Sequence, residues 1–186
     1  MRKILPEYEN PIDCFLLDVC DQLLPTFHSL HFTPNMLTFC GLLCRLWAIW
    51  ALFTKHTVFF LIGGFLGYLF DCLDGHYART YNMTSKVGDL FDHASDILFN
   101  VVVLGYIFTS KNKYKWPILA GLGVLLILTF VHLGCQQRLY NKSGESLDNL
   151  KCFCPDDDWI HWTKYFGSGT FTTVTLMTVA GMLEQE

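Results

Sequence analysis

The chain has 186 residues, enough for one compact domain but too few for two large ones. Hydrophobic residues make up 52% of it, more than a soluble domain of this size can cover with a polar surface. The formal net charge of −4 argues against a nucleic-acid-binding protein, which usually carries a basic face. Length, composition and charge together favour a single membrane-embedded domain.

The first predicted element covers residues 11–24, where apolar and acidic residues mix at helical spacing. This segment is too short and too charged to cross a membrane, so it predicts an amphipathic helix at the interface. No apolar run follows Arg2 and Lys3, and no cleavable signal peptide is predicted. We therefore divide the chain into an interfacial segment, residues 1–32, and a membrane-embedded domain, residues 33–186.

Five apolar stretches then follow, each close to the 20 or so helical residues that a bilayer core requires. They run over residues 35–53, 57–79, 88–108, 116–135 and 165–183. Arg45 is the single charge in the first stretch and must face other helices or reach the membrane surface. A sixth helix would come from residues 140–164 or from the amphipathic segment. The fold class is an all-α integral membrane protein, a bundle of five to six transmembrane helices with an N-terminal interfacial helix.

Eight cysteines are present, and several lie in the apolar stretches, which argues against a disulfide framework. Cys152 and Cys154 form a close pair near His161. They are a weak candidate for a metal site, because no second pair follows at the spacing of a zinc site.

Five aspartates lie between positions 71 and 96, in the most hydrophobic part of the chain. Asp71 and Asp74 stand three residues apart near the end of the second apolar stretch, and Asp92 and Asp96 stand four apart near the start of the third. Residues at these spacings share one face of a helix. Because a short loop joins the two stretches, we expect four carboxylates around one point near the membrane surface.

Clustered carboxylates near lipid are costly unless cations compensate them. Oxygen ligands suit Mg²⁺, Mn²⁺ or Ca²⁺, and two such ions stabilise the attacking and leaving oxygens of a phosphoryl displacement. Gly75 and Ala78 leave room for a nucleotide, and Arg79 has the planar fork that suits a diphosphate. A membrane cation transporter or proton path is the alternative from another class, but it has no need of this glycine, alanine and arginine.

The aspartate-rich region also resembles a known signature: it reads Asp71-Cys-Leu-Asp74-Gly75-His-Tyr-Ala78-Arg79, then eight residues, then Gly88-Asp-Leu-Phe-Asp92-His-Ala-Ser-Asp96. All eight fixed positions and all gaps resemble those of the CDP-alcohol phosphatidyltransferase family. Thr33-Pro34-Asn35, before the first stretch, is similar to the family's segment at the same place. The resemblance is clear over about residues 33–108.

This resemblance implies a six-helix membrane enzyme, usually a homodimer, that binds two divalent ions, Mg²⁺ or Mn²⁺. The implied metal ligands are Asp71, Asp74, Asp92 and Asp96, and the implied CDP pocket is lined by Asp74, Gly75, Ala78, Arg79 and Gly88. Asp96 is also the implied general base on the acceptor hydroxyl. The implied reaction joins a CDP-linked lipid or alcohol to an alcohol acceptor and releases CMP, which makes a phospholipid.

Two substrate classes remain open. Asp74-Gly75-His76 with Ala78-Arg79 is similar to phosphatidylinositol synthases, whereas Gly88-Asp-Leu-Phe-Asp92-His93 is similar to choline and ethanolamine phosphotransferases, which are usually longer chains. The short chain favours CDP-diacylglycerol and a small polar alcohol such as inositol or glycerol phosphate. The alternative is CDP-choline or CDP-ethanolamine with diacylglycerol.

The acceptor has one candidate contact, Arg138, which is accompanied by His132, Gln136 and Gln137. The other interpretation is that Arg138 marks the boundary between membrane and water. Lysines and arginines in the loops favour a cytoplasmic N-terminus. That orientation places the aspartates on the cytoplasmic face, of the endoplasmic reticulum in a eukaryote.

Overall fold

The computed structural model describes residues 2–140 and 148–185, and every regular element in these two ranges is helical. The long helices are α1 (Pro11–Ser29), α2 (Pro34–Phe53), α3 (Thr57–Thr80), α4 (Lys86–Thr109), α5 (Lys115–Tyr140) and α7 (Ser168–Leu183). Within the described residues before α7 there are four short turns: Asp148–Phe153, Asp157–Trp159, α6 (Ile160–Thr163) and Lys164–Phe166.

Five segments are long and apolar enough to cross a membrane: α2, α3, α4, α5 and Asp157–Leu183, which ends in α7. This confirms the predicted all-helical membrane bundle. Within residues 148–166 the chain forms only short turns, so the described part of this region supplies no sixth span. Helix α1 is not one of the five segments either.

Side-chain caps define where the helices begin. The Thr33 hydroxyl accepts a hydrogen bond from the backbone N–H of Met36, and Pro34 occupies the first turn of α2. The Ser85 hydroxyl caps α4 in the same way, by accepting from the backbone N–H of Gly88 at 3.0 Å. Thus α4 begins close to the end of α3, and the two aspartate-bearing helix ends face each other across a short loop.

Helices α2 and α3 have the most extensive contact in the bundle, and glycines make it close. A Cβ atom on Gly63 would lie 2.9 Å from the carbonyl oxygen of Cys44. One on Gly67 would lie 2.7 Å from Cγ of Arg45. Small residues let helix backbones approach in membranes. Here they also make room for the arginine side chain between the helices.

Helix α1 packs beside α3 and α7 at the aspartate end of the bundle. It is longer than predicted, because it continues through Pro25 to Ser29. A proline inside a helix removes one hydrogen bond and crowds the preceding turn, so side-chain packing must hold this part of α1. Contacts of the Phe27 ring with Phe32 and Phe70 hold the turn that follows it. The interfacial position of this helix remains a prediction.

A disulfide joins Cys135 of α5 to Cys154, with 4.9 Å between the two Cα atoms. The free cysteines of the described ranges include all those that lie in α2 and α3. Since Cys154 is bonded to Cys135, it does not pair with Cys152 as a metal ligand. The bridge instead ties the segment after α5 to the end of that helix.

Candidate active site

Three of the predicted carboxylates come together where α3 ends and α4 begins. Asp71, Asp92 and Asp96 each offer an oxygen, and these oxygens all lie within 4.8 Å of one another. The fourth, Asp74, is only 4% exposed and is not part of this close group. The helix faces inferred from the spacing therefore do converge, with Asp74 set to one side.

Among the described residues, two buried carboxylate oxygens of these aspartates have no hydrogen-bond partner. They are Oδ2 of Asp74 and Oδ1 of Asp92. A buried polar atom without a partner is costly. Divalent cations take several oxygen ligands from carboxylates. The donor set and its unpartnered oxygens therefore fit such an ion.

Arg45 of α2 is the counter-charge of the cluster. Its guanidinium donates to Oδ1 of Asp71 at 3.0 Å and forms an ion pair with Asp96. It also donates to the hydroxyl of Ser95 at 2.9 Å, and it is only 5% exposed. The sequence showed that Arg45 must face helices or the surface, but not that it contacts the aspartates. Nothing in the sequence pointed to Ser95.

The residues of the implied CDP pocket lie along the last two turns of α3 and the first turn of α4. A Cβ atom on Gly75 would lie 3.2 Å from the Arg79 guanidinium, so this group folds over the glycine. A Cβ atom on Gly88 would lie 2.8 Å from Oδ1 of Asn35. Asn35 thus brings the start of α2 to the start of α4, a contact that residue spacing did not reveal.

Residues before and within α1 add two buried carboxylates near this end of the bundle. The Tyr68 hydroxyl, one turn before Asp71, donates to Oδ1 of Asp13 at 2.5 Å. Burial raises the pKa of Asp13 to about 7. Glu9 accepts from the amide of Gln136 at 2.7 Å, and burial raises its pKa as well. The N-terminal segment therefore belongs to the polar interior.

A further contact joins α1 to the signature itself. His76 is 1% exposed, and its Nε2 lies 2.6 Å from Oδ1 of Asp21. Burial acts to raise the pKa of Asp21, but the hydrogen bond with His76 and the charge of Arg2 lower it below its usual range. Asp21 is thus held as a carboxylate against the buried ring.

Arg138, near the end of α5, contacts the residues that precede α6. Its guanidinium donates to the carbonyl oxygen of Cys154 at 2.8 Å, and its Nε lies 3.0 Å from Oδ1 of Asp157. His132 and Gln137 are almost fully buried. These contacts fix the turn between α5 and α6.

The family model of CDP-alcohol phosphatidyltransferases matches residues 31–149. The chain belongs to this family. It is also 30% identical, over 104 residues, to the archaetidylinositol phosphate synthase of Pyrococcus horikoshii. That alignment covers 56% of this chain and 51% of the relative, so the chain spans about half the length of the relative it matches. No solved structure matches this phosphatidyltransferase-family chain.

Proposed function

We propose that the protein transfers a phosphate-linked group from a CDP-activated donor to an alcohol acceptor and releases CMP. The observation that carries this proposal is the group of three carboxylates within 4.8 Å, set inside a complete family signature. A cation transporter would also use clustered membrane carboxylates. It would not need Gly75 and Arg79 folded against each other beside them.

The carboxylates hold the metal in this proposal. Asp71, Asp74, Asp92 and Asp96 would hold two divalent ions, Mg²⁺ or Mn²⁺, and bound ions would supply positive charge to neutralise the transferring phosphoryl group. Arg45 orients two of these side chains from the side of α2.

The donor and acceptor are handled by the neighbouring groups. Arg79 binds the diphosphate of the donor, and Gly75, Ala78 and Gly88 leave space for the nucleotide. Asp96 takes the proton from the acceptor hydroxyl as its oxygen bonds to phosphorus. The bond from phosphorus to the CMP oxygen breaks in the same displacement, and CMP leaves.

The favoured substrates are CDP-diacylglycerol and a small polar alcohol such as inositol or glycerol phosphate. The archaeal relative is named an archaetidylinositol phosphate synthase, and the inositol phosphate in this name supports a small polar acceptor. CDP-choline or CDP-ethanolamine with diacylglycerol is the second pair, since Asp92-His93 follows the pattern of those enzymes. Arg138 is the candidate acceptor contact, although its present contacts with Cys154 and Asp157 would have to be exchanged.

The deciding experiment measures CMP release by the purified protein in lipid nanodiscs. Each donor is offered with each acceptor in Mg²⁺ or Mn²⁺, and then with excess chelator. We expect turnover with one donor and acceptor pair, complete loss in chelator, and recovery when the ion is restored.

The matched control is Asp92→Asn, which keeps the shape of the side chain but removes a ligand charge. It should abolish CMP release without unfolding the protein. No CMP from any pair in either metal would refute the proposed function, and full turnover in chelator would refute the metal site.

The arrangement in the cell is part of the proposal. Residues 33–186 form the catalytic membrane domain and residues 1–32 an interfacial segment, and two copies associate as a homodimer. The aspartate end faces the cytoplasm, where soluble nucleotides are available, at the endoplasmic reticulum in a eukaryote.

A further inference from the structure

Helix α1 precedes the family-matched segment, residues 31–149, yet it supplies a partner to the signature. The partner is Asp21, whose carboxylate lies 2.6 Å from Nε2 of His76. The side chain of Asp21 is 51% exposed, whereas that of His76 is 1% exposed. A buried imidazole is therefore held from outside α3 by a carboxylate of another helix.

The position of His76 gives this contact a consequence for the donor pocket. His76 follows Gly75 and precedes Arg79 in the last two turns of α3. Because successive helix residues point about 100° apart, His76 faces α1 while Gly75 and Arg79 share a different face. A partner that fixes His76 therefore fixes the rotation of the donor-binding face.

The same end of α3 has a second, independent contact, which defines its axis. The Tyr77 hydroxyl donates to the carbonyl oxygen of Phe32 at 2.8 Å, and Tyr77 packs in a cluster with Cys20 and Leu24 of α1. Helix ends fray unless they are held. The hydrogen bond to Asp21 adds a second polar, directional contact, and it is made by the residue next to Gly75.

We propose that Asp21 is a positioning residue for the CDP-linked donor: it holds His76, and through His76 the turn from Gly75 to Arg79, in the orientation that receives the diphosphate. The proposal rests on the proposed function, because it concerns donor binding. Asp21 itself touches neither substrate nor metal. Its loss should therefore weaken donor binding while the bond-making step at the aspartates is kept.

The test compares Asp21→Ala with two matched variants in nanodiscs. Asp21→Ala removes this charge-assisted hydrogen bond and should raise the donor KM and Kd by about tenfold. The value of kcat and the acceptor KM should stay near those of the wild type. Asp21→Asn keeps an oxygen that accepts from the imidazole, and it should restore donor binding.

Asp18→Ala is the control on the same helix. Asp18 lies one turn earlier, its side chain is 65% exposed, and it pairs with Arg2 at 2.5 Å. Its removal should leave the donor KM unchanged. His76→Leu should raise the donor KM as much as Asp21→Ala does, and the double variant should add nothing further. If Asp21→Ala does not fold, His76→Leu and Asp21→Asn carry the comparison.

Equal donor affinity in wild type, Asp21→Ala and His76→Leu would overturn this inference alone. A lower melting temperature with equal falls in kcat for all substrates and no change in donor KM would also overturn it. A wild-type protein that neither binds CDP-diacylglycerol or CDP-choline nor releases CMP would overturn both this inference and the proposed function.

Discussion

Arg45 is a buried cation between two carboxylates. Its contribution to stability depends on which other cations neutralise their negative charge. It bonds Asp71, Asp96 and Ser95 at once, inside a helix that is otherwise without charge. Removing one partner of a buried ion pair is strongly destabilising, because the other charge is left uncompensated. In the proposed site, Arg45 and bound divalent ions would together neutralise the negative charge of this cluster.

The first prediction concerns Arg45→Gln. It should lower the melting temperature in chelator, by an amount equivalent to about 3–5 kcal/mol. Mg²⁺ should stabilise this variant more than it stabilises the wild type, because without Arg45 only the ions neutralise the charge of the carboxylates. Melting curves with and without Mg²⁺ provide the measurement, with Lys86→Gln, an exposed charge at the start of α4, as control. An equal Mg²⁺ shift in variant and wild type would contradict the prediction.

The second prediction concerns Asp96, the proposed base. Proton removal by a placed base is worth about 10²–10⁴-fold in rate, so Asp96→Asn should lose activity in that range. Donor binding should be largely kept, because the shape of the side chain is kept. Asp71→Asn should impair metal and donor binding together. Single-turnover rates and donor Kd values separate the two, and a near wild-type rate for Asp96→Asn would show that another group is the base.

At the scale of the helices, the close contact of α2 and α3 places Arg45 beside the aspartates. Gly63 and Gly67 lie one turn apart on α3 and face α2. Any side chain there must move a backbone or the arginine itself. The glycines thus connect packing in the middle of the membrane domain with the geometry of the site at its end.

The third prediction compares two glycine substitutions. Gly63→Ala should destabilise the protein by about 1–3 kcal/mol, because its Cβ would meet the backbone oxygen of Cys44 at 2.9 Å. Gly105→Ala on α4 meets no heavy atom within 4 Å and should be neutral or slightly stabilising. Thermal melting in the same detergent measures both, and an equal effect of the two would contradict the role of the close contact.

Helix α1 makes stability depend on pH through Asp13, whose pKa is raised by burial to about 7. Tyr68 and Asp71 of α3, Glu9 on the preceding segment and the backbone of Gly169 face this carboxyl. An unfolded aspartate has a pKa of about 4, so between about pH 4 and 7 the folded protein binds more protons. Stability should therefore fall as the pH rises through this window and level off above it.

The fourth prediction follows from that sign. Across the whole window the free energy of unfolding should fall by on the order of 4 kcal/mol, since each pKa unit is worth about 1.4 kcal/mol. Asp13→Asn should reduce the slope between pH 4 and 7, because the amide does not titrate but still accepts from Tyr68; Glu9, whose pKa burial also raises, keeps a smaller slope. The midpoint of thermal unfolding against pH measures wild type and variant, and an undiminished slope in Asp13→Asn would contradict the assignment.

At the scale of the whole molecule, the antiparallel arrangement of the helices places the aspartates of the candidate site at one end of the bundle. The ends of α3 and α5 and the starts of α2, α4 and α7 meet there, together with α1. The opposite end carries Lys55, Lys111 and Lys113 around a cavity of about 710 Å³. One end of the bundle is thus acidic and polar inside, and the other is a basic rim.

The fifth prediction tests which end faces the cytoplasm. Cys152 is an exposed free thiol at the aspartate end. In intact bacterial spheroplasts a membrane-impermeant maleimide should leave it unlabelled until the membrane is opened. Lys113→Cys at the opposite end, in a variant with Cys152→Ser, should be labelled at once. The reverse pattern would overturn the proposed orientation.

The sequence alone determined the elements and much of the site. Apolar stretches of spanning length predicted five helices, and Thr33-Pro34 predicted where α2 begins, because both depend on neighbouring residues only. Spacings of three and four predicted shared faces for the aspartates. Three of the four carboxylates indeed meet, since a five-residue connection leaves α3 and α4 little choice.

Only the tertiary structure decided which faces of distant helices meet. Arg45 pairs with residues 26 and 51 positions away, and Asp21 reaches His76 across 55 positions. Cys135 joins Cys154, although the sequence argued against a disulfide framework. Local spacing in the sequence specifies which side chains share a helix face. Which other helix that face contacts depends on how all the helices rotate and pack, because packing is the sum of many weak contacts over the whole chain.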